Sequence, residues 1–91
     1  MAKLLDLIAK IDQMDREDVI FVKPEWRPDS EASVFQLTED YRVPEEARAL
    51  GYEYFLEVDT IQQILEEFRS RPDASLNERC ERIIHYATYD A

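Results

Sequence analysis

The chain has 91 residues and a mass of 10.8 kDa, which makes one domain, 1–91, with no break in composition to divide it. It carries 21 acidic and 11 basic residues, a formal charge of −10 at pH 7, spread as 14 acids and 7 bases over 1–58 and 7 and 4 over 59–91. A field of this sign repels phosphate backbones and anionic headgroups, so neither nucleic-acid binding nor an electrostatic membrane anchor is expected; basic proteins or organic cations are better partners.

Leu, Ile, Val and Phe together number 24, enough apolar side chain to expect folding rather than disorder. A domain this small has little interior to spare, so any site is expected to be shallow. The single cysteine, Cys80, excludes an internal disulfide. Lys3, Asp6, Lys10 and Asp12 interrupt the early apolar pattern and argue against a signal-peptide core, and no run approaches a membrane span. The expected location is the cytoplasm.

In chain order, Leu4, Leu5, Leu7, Ile8, Ile11 and Met14 recur at steps of three and four, which predicts an amphipathic helix over 2–14. Val19-Ile20-Phe21-Val22 is an unbroken β-branched and aromatic run, as in a strand covered on both faces, and predicts the sheet centre at 19–23. Pro24 and Pro28 exclude helix from 24–32, an ordered loop. Residues 33–37 read as a second strand, expected at a sheet edge. Pro44 suits the first helical position, Glu45 and Glu46 complement the positive end of the dipole, and Gly51 suits the exit, giving a short helix over 44–50.

The alternation in 52–58 predicts a half-exposed strand, with Tyr52, Tyr54, Leu56 and Val58 on the core face and Glu53, Phe55 and Glu57 on the other. Asp59 is the expected cap of a helix over 60–71, and Ser75 with Glu78 forms a capping box for a last helix over 76–88. The order αββ(α)βαα gives an α+β fold, a three-stranded sheet packed by helices mainly on one face.

One glycine excludes the Gly-rich phosphate loops, and no cofactor is expected. Cys80 and His85 stand about 140° apart on a helix and cannot form a dyad; Cys80 sits on the apolar stripe with Leu76, Ile83 and Ile84. The Glu81 and His85 pair and the Glu78 and Arg82 pair have the spacing of surface ion pairs. His85 with scattered carboxylates makes too few ligands for zinc, and Asp12, Asp15 and Asp18 lack the alternation and glycine of a calcium loop.

What remains is the loop with Glu25, Trp26, Arg27 and Asp29. Tryptophan and arginine are favoured at binding hot spots, and prolines stiffen their presentation. Either these residues bind a partner or Trp26 folds back as a lid on the core. Glu53, Phe55 and Glu57 pose a similar choice between a solvated sheet face and a surface that accepts organic cations.

The pattern Phe21-Val22, Trp26, Pro28-Asp29-Ser30, Tyr54-Phe55-Leu56-Glu57-Val58, Cys80-Glu81-Arg82-Ile83-Ile84, Tyr86-Ala87 and Asp90-Ala91 resembles a family of small acidic uncharacterised bacterial proteins, of the kind carried by mobile gene cassettes. The resemblance implies a bacterial cytoplasmic origin and no catalytic residue. The expected function is a non-enzymatic interaction module for a basic protein partner, immunity-like or regulatory. A binder of cationic organic molecules is the alternative, a small enzyme the third reading, and a homodimer through the edge strand 33–37 is expected.

Overall fold

The computed structural model describes residues 2–36, 39 and 42–89. Its architecture is α+β, with a four-stranded antiparallel sheet in the spatial order β1 (Ala2–Lys3), β3 (Glu31–Phe35), β2 (Val19–Val22), β4 (Glu53–Glu57). Three helices, α1 (Leu4–Ala9), α3 (Val58–Leu65) and α4 (Leu76–Tyr89), pack on one face, and α2 (Glu45–Ala49) packs on the other.

β1 (Ala2–Lys3) leads directly into α1 (Leu4–Ala9), and a 3₁₀ turn over Ile11–Gln13 follows. The single helix expected over 2–14 is thus three elements. Ala2 and Lys3 pair with Ala32 and Glu31; a two-residue strand is too short to leave a periodicity of its own. Leu4, Leu7, Ile8 and Ile11 are buried, so the apolar stripe survives the change of backbone. The first free amides of α1 find acceptors in a distant loop, Leu4 N–H donating to the Ser30 carbonyl and Leu5 N–H to that of Pro28, each at 2.9 Å.

β2 (Val19–Val22) is buried at all four positions and lies between β3 and β4, as its composition predicts. β3 (Glu31–Phe35) starts two residues earlier than expected; Leu37, expected at its end, lies outside the described residues. It is interior rather than an edge, because β1 lies outside its first half. β1 reaches only Glu31 and Ala32, and among the described residues Ser33–Phe35 pair with β2 alone.

α2 (Glu45–Ala49) is N-capped by Pro44 and ends as its glycine requires. Gly51 sits at φ 87°, Tyr52 N–H reaches the Ala47 carbonyl at 3.0 Å, and Gly51 N–H reaches that of Arg48 at 3.1 Å. This is a Schellman closure, which needs the left-handed residue. Ala47 is pressed on Val19 and Phe21, with Phe35, Val43 and Tyr52 around them, forming a small second core.

β4 (Glu53–Glu57) is the edge of the sheet opposite β1. Its pairing with β2 slips by one residue between Ile20 and Phe21, since Ile20 faces Leu56 but Phe21 faces Tyr54. The extra residue, Phe55, turns inward and is 2% exposed. The simple alternation therefore fails: Phe55 and Leu56 both join the helix-side core, whereas Tyr52 and Tyr54 face the α2 side.

β4 passes without a loop into α3 (Val58–Leu65), which continues as a 3₁₀ segment over Glu66–Ser70. Asp59 lies inside the first turn and is not the cap. The first amides, Val58 and Asp59, donate instead to the carbonyls of Asp18 (2.9 Å) and Arg16 (3.3 Å). α4 (Leu76–Tyr89) begins on Ser75, whose Oγ accepts from Glu78 N–H at 3.1 Å. The other half of the expected box is redirected, for the Glu78 carboxylate takes Arg71 at 2.8 Å. Arg82 likewise reaches Glu67 of the 3₁₀ segment at 2.7 Å.

Candidate functional site

The loop between β2 and β3 is knitted by Ser30. Its Oγ accepts from Arg27 N–H at 2.8 Å and donates to the Glu25 carbonyl, and its own N–H reaches the Arg27 carbonyl at 3.0 Å. Lys23 N–H closes the base of the loop on the Glu31 carbonyl at 3.0 Å. With Pro28 and Ser30 also holding the start of α1, the loop is anchored on both sides, as the two prolines lead one to expect.

The loop lays the half-buried indole of Trp26 on the main core, 5.0 Å from the Phe55 ring and nearly perpendicular to it at 87°. This is a favourable edge-to-face contact. The indole Nε1 is buried and meets no hydrogen-bond partner among the described residues. Glu25, Arg27 and Asp29 stay exposed, and Arg27 Nη2 sits 3.1 Å from Glu25 Oε1. Of the four residues expected to contact a partner, three are at the surface and Trp26 also serves the core.

The trio Glu53, Phe55 and Glu57 does not form one surface. Phe55 is buried by the β-bulge and cannot offer its ring to a cation from solution. Glu57 lies on the α2 side, where its proximity, after burial, holds the Tyr54 phenol above its usual range. Glu53, opposite Val22 at the end of the strand, borders a depression with Arg42 and Arg48 and also the place where the two predicted sets meet: an open depression of about 470 Å³ lined by Pro24, Glu25, Trp26, Glu53, Ala87 and Thr88. Phe55 contributes from below by bracing the indole. Among the described residues no cation is part of the lining, Arg27 stands next to it on Glu25, and Glu53 makes no ion pair. Thr88 was marked by no sequence motif; its hydroxyl donates to the Ile84 carbonyl at 2.8 Å.

The chemistry of this arrangement is that of a receptor. Glu53, with Glu25 already paired to Arg27, shares one depression with an indole, a combination suited to a guanidinium, an ammonium or a quaternary cation. On the α2 side, Glu31 accepts from Lys23 at 2.9 Å and from the Tyr52 hydroxyl at 2.8 Å; both bonds hold its carboxyl below the ordinary range. Asp15 and Asp18 serve the turn before β2, accepting from Glu17 N–H at 2.9 Å and from Gln36 at 3.2 Å. Among the described residues no three His, Cys, Asp or Glu side chains converge as a metal set. No helix among them is long and apolar enough to cross a membrane.

Cys80 lies in the main core with no exposed surface, and burial, with Glu81 adding to it, pushes its thiol up to about 12 from an ordinary 9.0. A thiol-alkylating reagent at pH 8 is therefore expected to leave the native chain unmodified and to label it promptly in denaturant. The sign for stability follows from the same shift. Between the two values the folded chain keeps a proton that the unfolded chain has lost, so this contribution is complete below pH 9 and is lost as pH rises toward 12.

The structure thus defines a small acidic α+β domain carrying an open depression with two carboxylates and one indole. A family model matches residues 1–91, and the chain belongs to that family, the domain of unknown function DUF7716. No curated protein and no solved structure matches it.

Proposed function

We propose that this chain is a non-enzymatic interaction module of the bacterial cytoplasm, of the kind that mobile gene cassettes carry. Its partner is a basic protein, in an immunity-like or regulatory pairing. The observation that supports this reading is that Glu53, and Glu25 with its partner Arg27, converge on the depression that holds the Trp26 indole, within a chain of charge −10. One lysine or arginine of the partner enters the depression, while Arg27 and Asp29 stand outside it on the same loop. The long-range field speeds encounter, and the depression gives register.

The test is a titration with a capped arginine-rich peptide. Glu53→Lys is expected to weaken binding by about tenfold or more, the loss that accompanies roughly 1.4 kcal/mol. Its melting temperature should stay close to that of the parent, because Glu53 is exposed. Affinity should also fall as salt screens the field. Equal binding by parent and Glu53→Lys would end this reading. The alternative, a small organic cation, is favoured by one feature, a volume of about 470 Å³ beside an indole. It predicts that tetramethylammonium saturates the site and displaces the peptide.

A further inference from the structure

The opposite end of α4 carries a second surface of contrary chemistry. Two adjoining depressions, of about 500 and 350 Å³, share Asp12, Leu65 and Arg79 and run from the first 3₁₀ turn to the start of α4. Their mixed lining includes the apolar Ile8, Ile11, Leu65 and Phe68, and Leu76 stands 36% exposed at the margin.

Arg79 lies where the two meet. It is half-buried, its guanidinium rests 5.5 Å from the Phe68 ring centroid, and its Nε donates to the Ala74 carbonyl at 3.3 Å. Arg71 lies at the same 5.5 Å from that ring but is neutralised by Glu78 at 2.8 Å. Arg16 and Arg69 on the rim are also paired, with Asp59 at 3.2 Å and Glu66 at 3.5 Å. Arg79 alone of these four makes no ion pair among the described residues; Asp12, which lines both depressions with it, lies beyond ion-pair distance.

In a chain with nearly two acids for each base, a half-buried guanidinium without a carboxylate is the exception. Its desolvation is only partly offset by one carbonyl and one ring, and its Nη atoms have the fork geometry that a carboxylate matches. A polyanion would meet the repulsion of the whole molecule, which favours an occupant with a single negative charge. The apolar part of the lining asks that occupant for aliphatic side chains next to the charge.

We propose that this groove docks a segment of another protein that presents one carboxylate flanked by aliphatic side chains, with the carboxylate on Arg79 and the aliphatic groups on Leu65 and Leu76. The site is independent of the Trp26 depression, roughly 14 Å from it along α4, taking nine residues from Arg79 to Thr88 at the helical rise. The chain would then bring a basic and an acidic ligand to opposite ends of one helix.

The test uses the full chain, labelled with ¹⁵N, and two capped peptides, acetyl-Ala-Leu-Glu-Leu-Ala-amide and its glutamine counterpart. Amide shifts are expected for Ile11, Leu65, Leu76 and Arg79, with the glutamate peptide binding about tenfold more tightly, as for loss of a charge-assisted fork. Arg79→Gln should remove that preference. Leu76→Ala, which leaves Arg79 in place, should weaken both peptides several-fold without altering the preference, so the result does not hang on one variant folding. Equal binding of the two peptides, shifts confined to the Trp26 depression, no shifts at millimolar peptide, or occupation of Arg79 by a short oligonucleotide in preference to the peptide would each overturn the proposal. A failure of arginine-rich peptides at Glu53 would leave these readouts unaffected.

Discussion

Truncating Phe21 to alanine is expected to remove about 3–5 kcal/mol of stability, the range for a buried aromatic ring. Phe21 is wholly buried at the centre of the sheet and meets Phe35 at 5.4 Å and Tyr54 at 5.9 Å, both nearly edge-on. In the small core of Val19, Phe21 and Ala47, Phe21 is the one large side chain that is fully buried, and the rings around it, Phe35, Tyr52 and Tyr54, are only partly covered. A domain of this size has a total stability on the order of 5–14 kcal/mol, so the loss is a large fraction of the whole. Urea denaturation followed by circular dichroism measures it, with Phe21→Leu as the milder control. A loss under about 1 kcal/mol would mean that α2 does not build a core on this face.

Trp26→Ala is expected to act on stability and on binding together. Its indole is only half-buried, so the packing loss falls below that of Phe21. Removing Nε1 also relieves a buried donor without an acceptor, which by itself costs about 1–3 kcal/mol. The net expectation is a loss of roughly 2 kcal/mol, with Trp26→Phe retaining most of the packing on Phe55. Affinity for the arginine-rich peptide should fall as well, by about tenfold or more, as for a hot-spot aromatic. An unchanged melting curve would mean that the ring is not part of the core; unchanged binding would remove it from the proposed site.

What the sequence made legible, and what it hid, divides along local and non-local physics. β2 was readable because a strand buried on both faces is apolar at every position, and α2 because Gly51 and its Schellman closure are local. The Ser75 cap was readable for the same reason, although the destination of Glu78 was not, since Arg71 is brought in by the turn before α4. The fourth strand escaped because two residues have no period. The bulge escaped because β4 alternates faultlessly by itself and loses its alternation only against β2. That one slip buried Phe55, separated Glu57 from Glu53, and left Glu53 beside Trp26.

The caps of α1 and α3 escaped for a related reason, which bears on how the molecule comes apart. Apart from the Asp6 carboxylate, which accepts from Lys3 N–H at 3.4 Å, neither helix start is held by its own side chains; their first amides lean on main-chain carbonyls of residues 28–30 and 16–18. α1 has six residues and α3 has eight, lengths at which an isolated helix in water does not persist. Once those turns shift, the helices lose acceptors and packing in the same event, and the turns in turn lose the donors that fix them. Neither helix is therefore expected to open and close alone across this layer. Hydrogen exchange is expected to show the amides of Leu4, Leu5 and Val58 exchanging at the pace of the central sheet rather than at that of frayed helix ends.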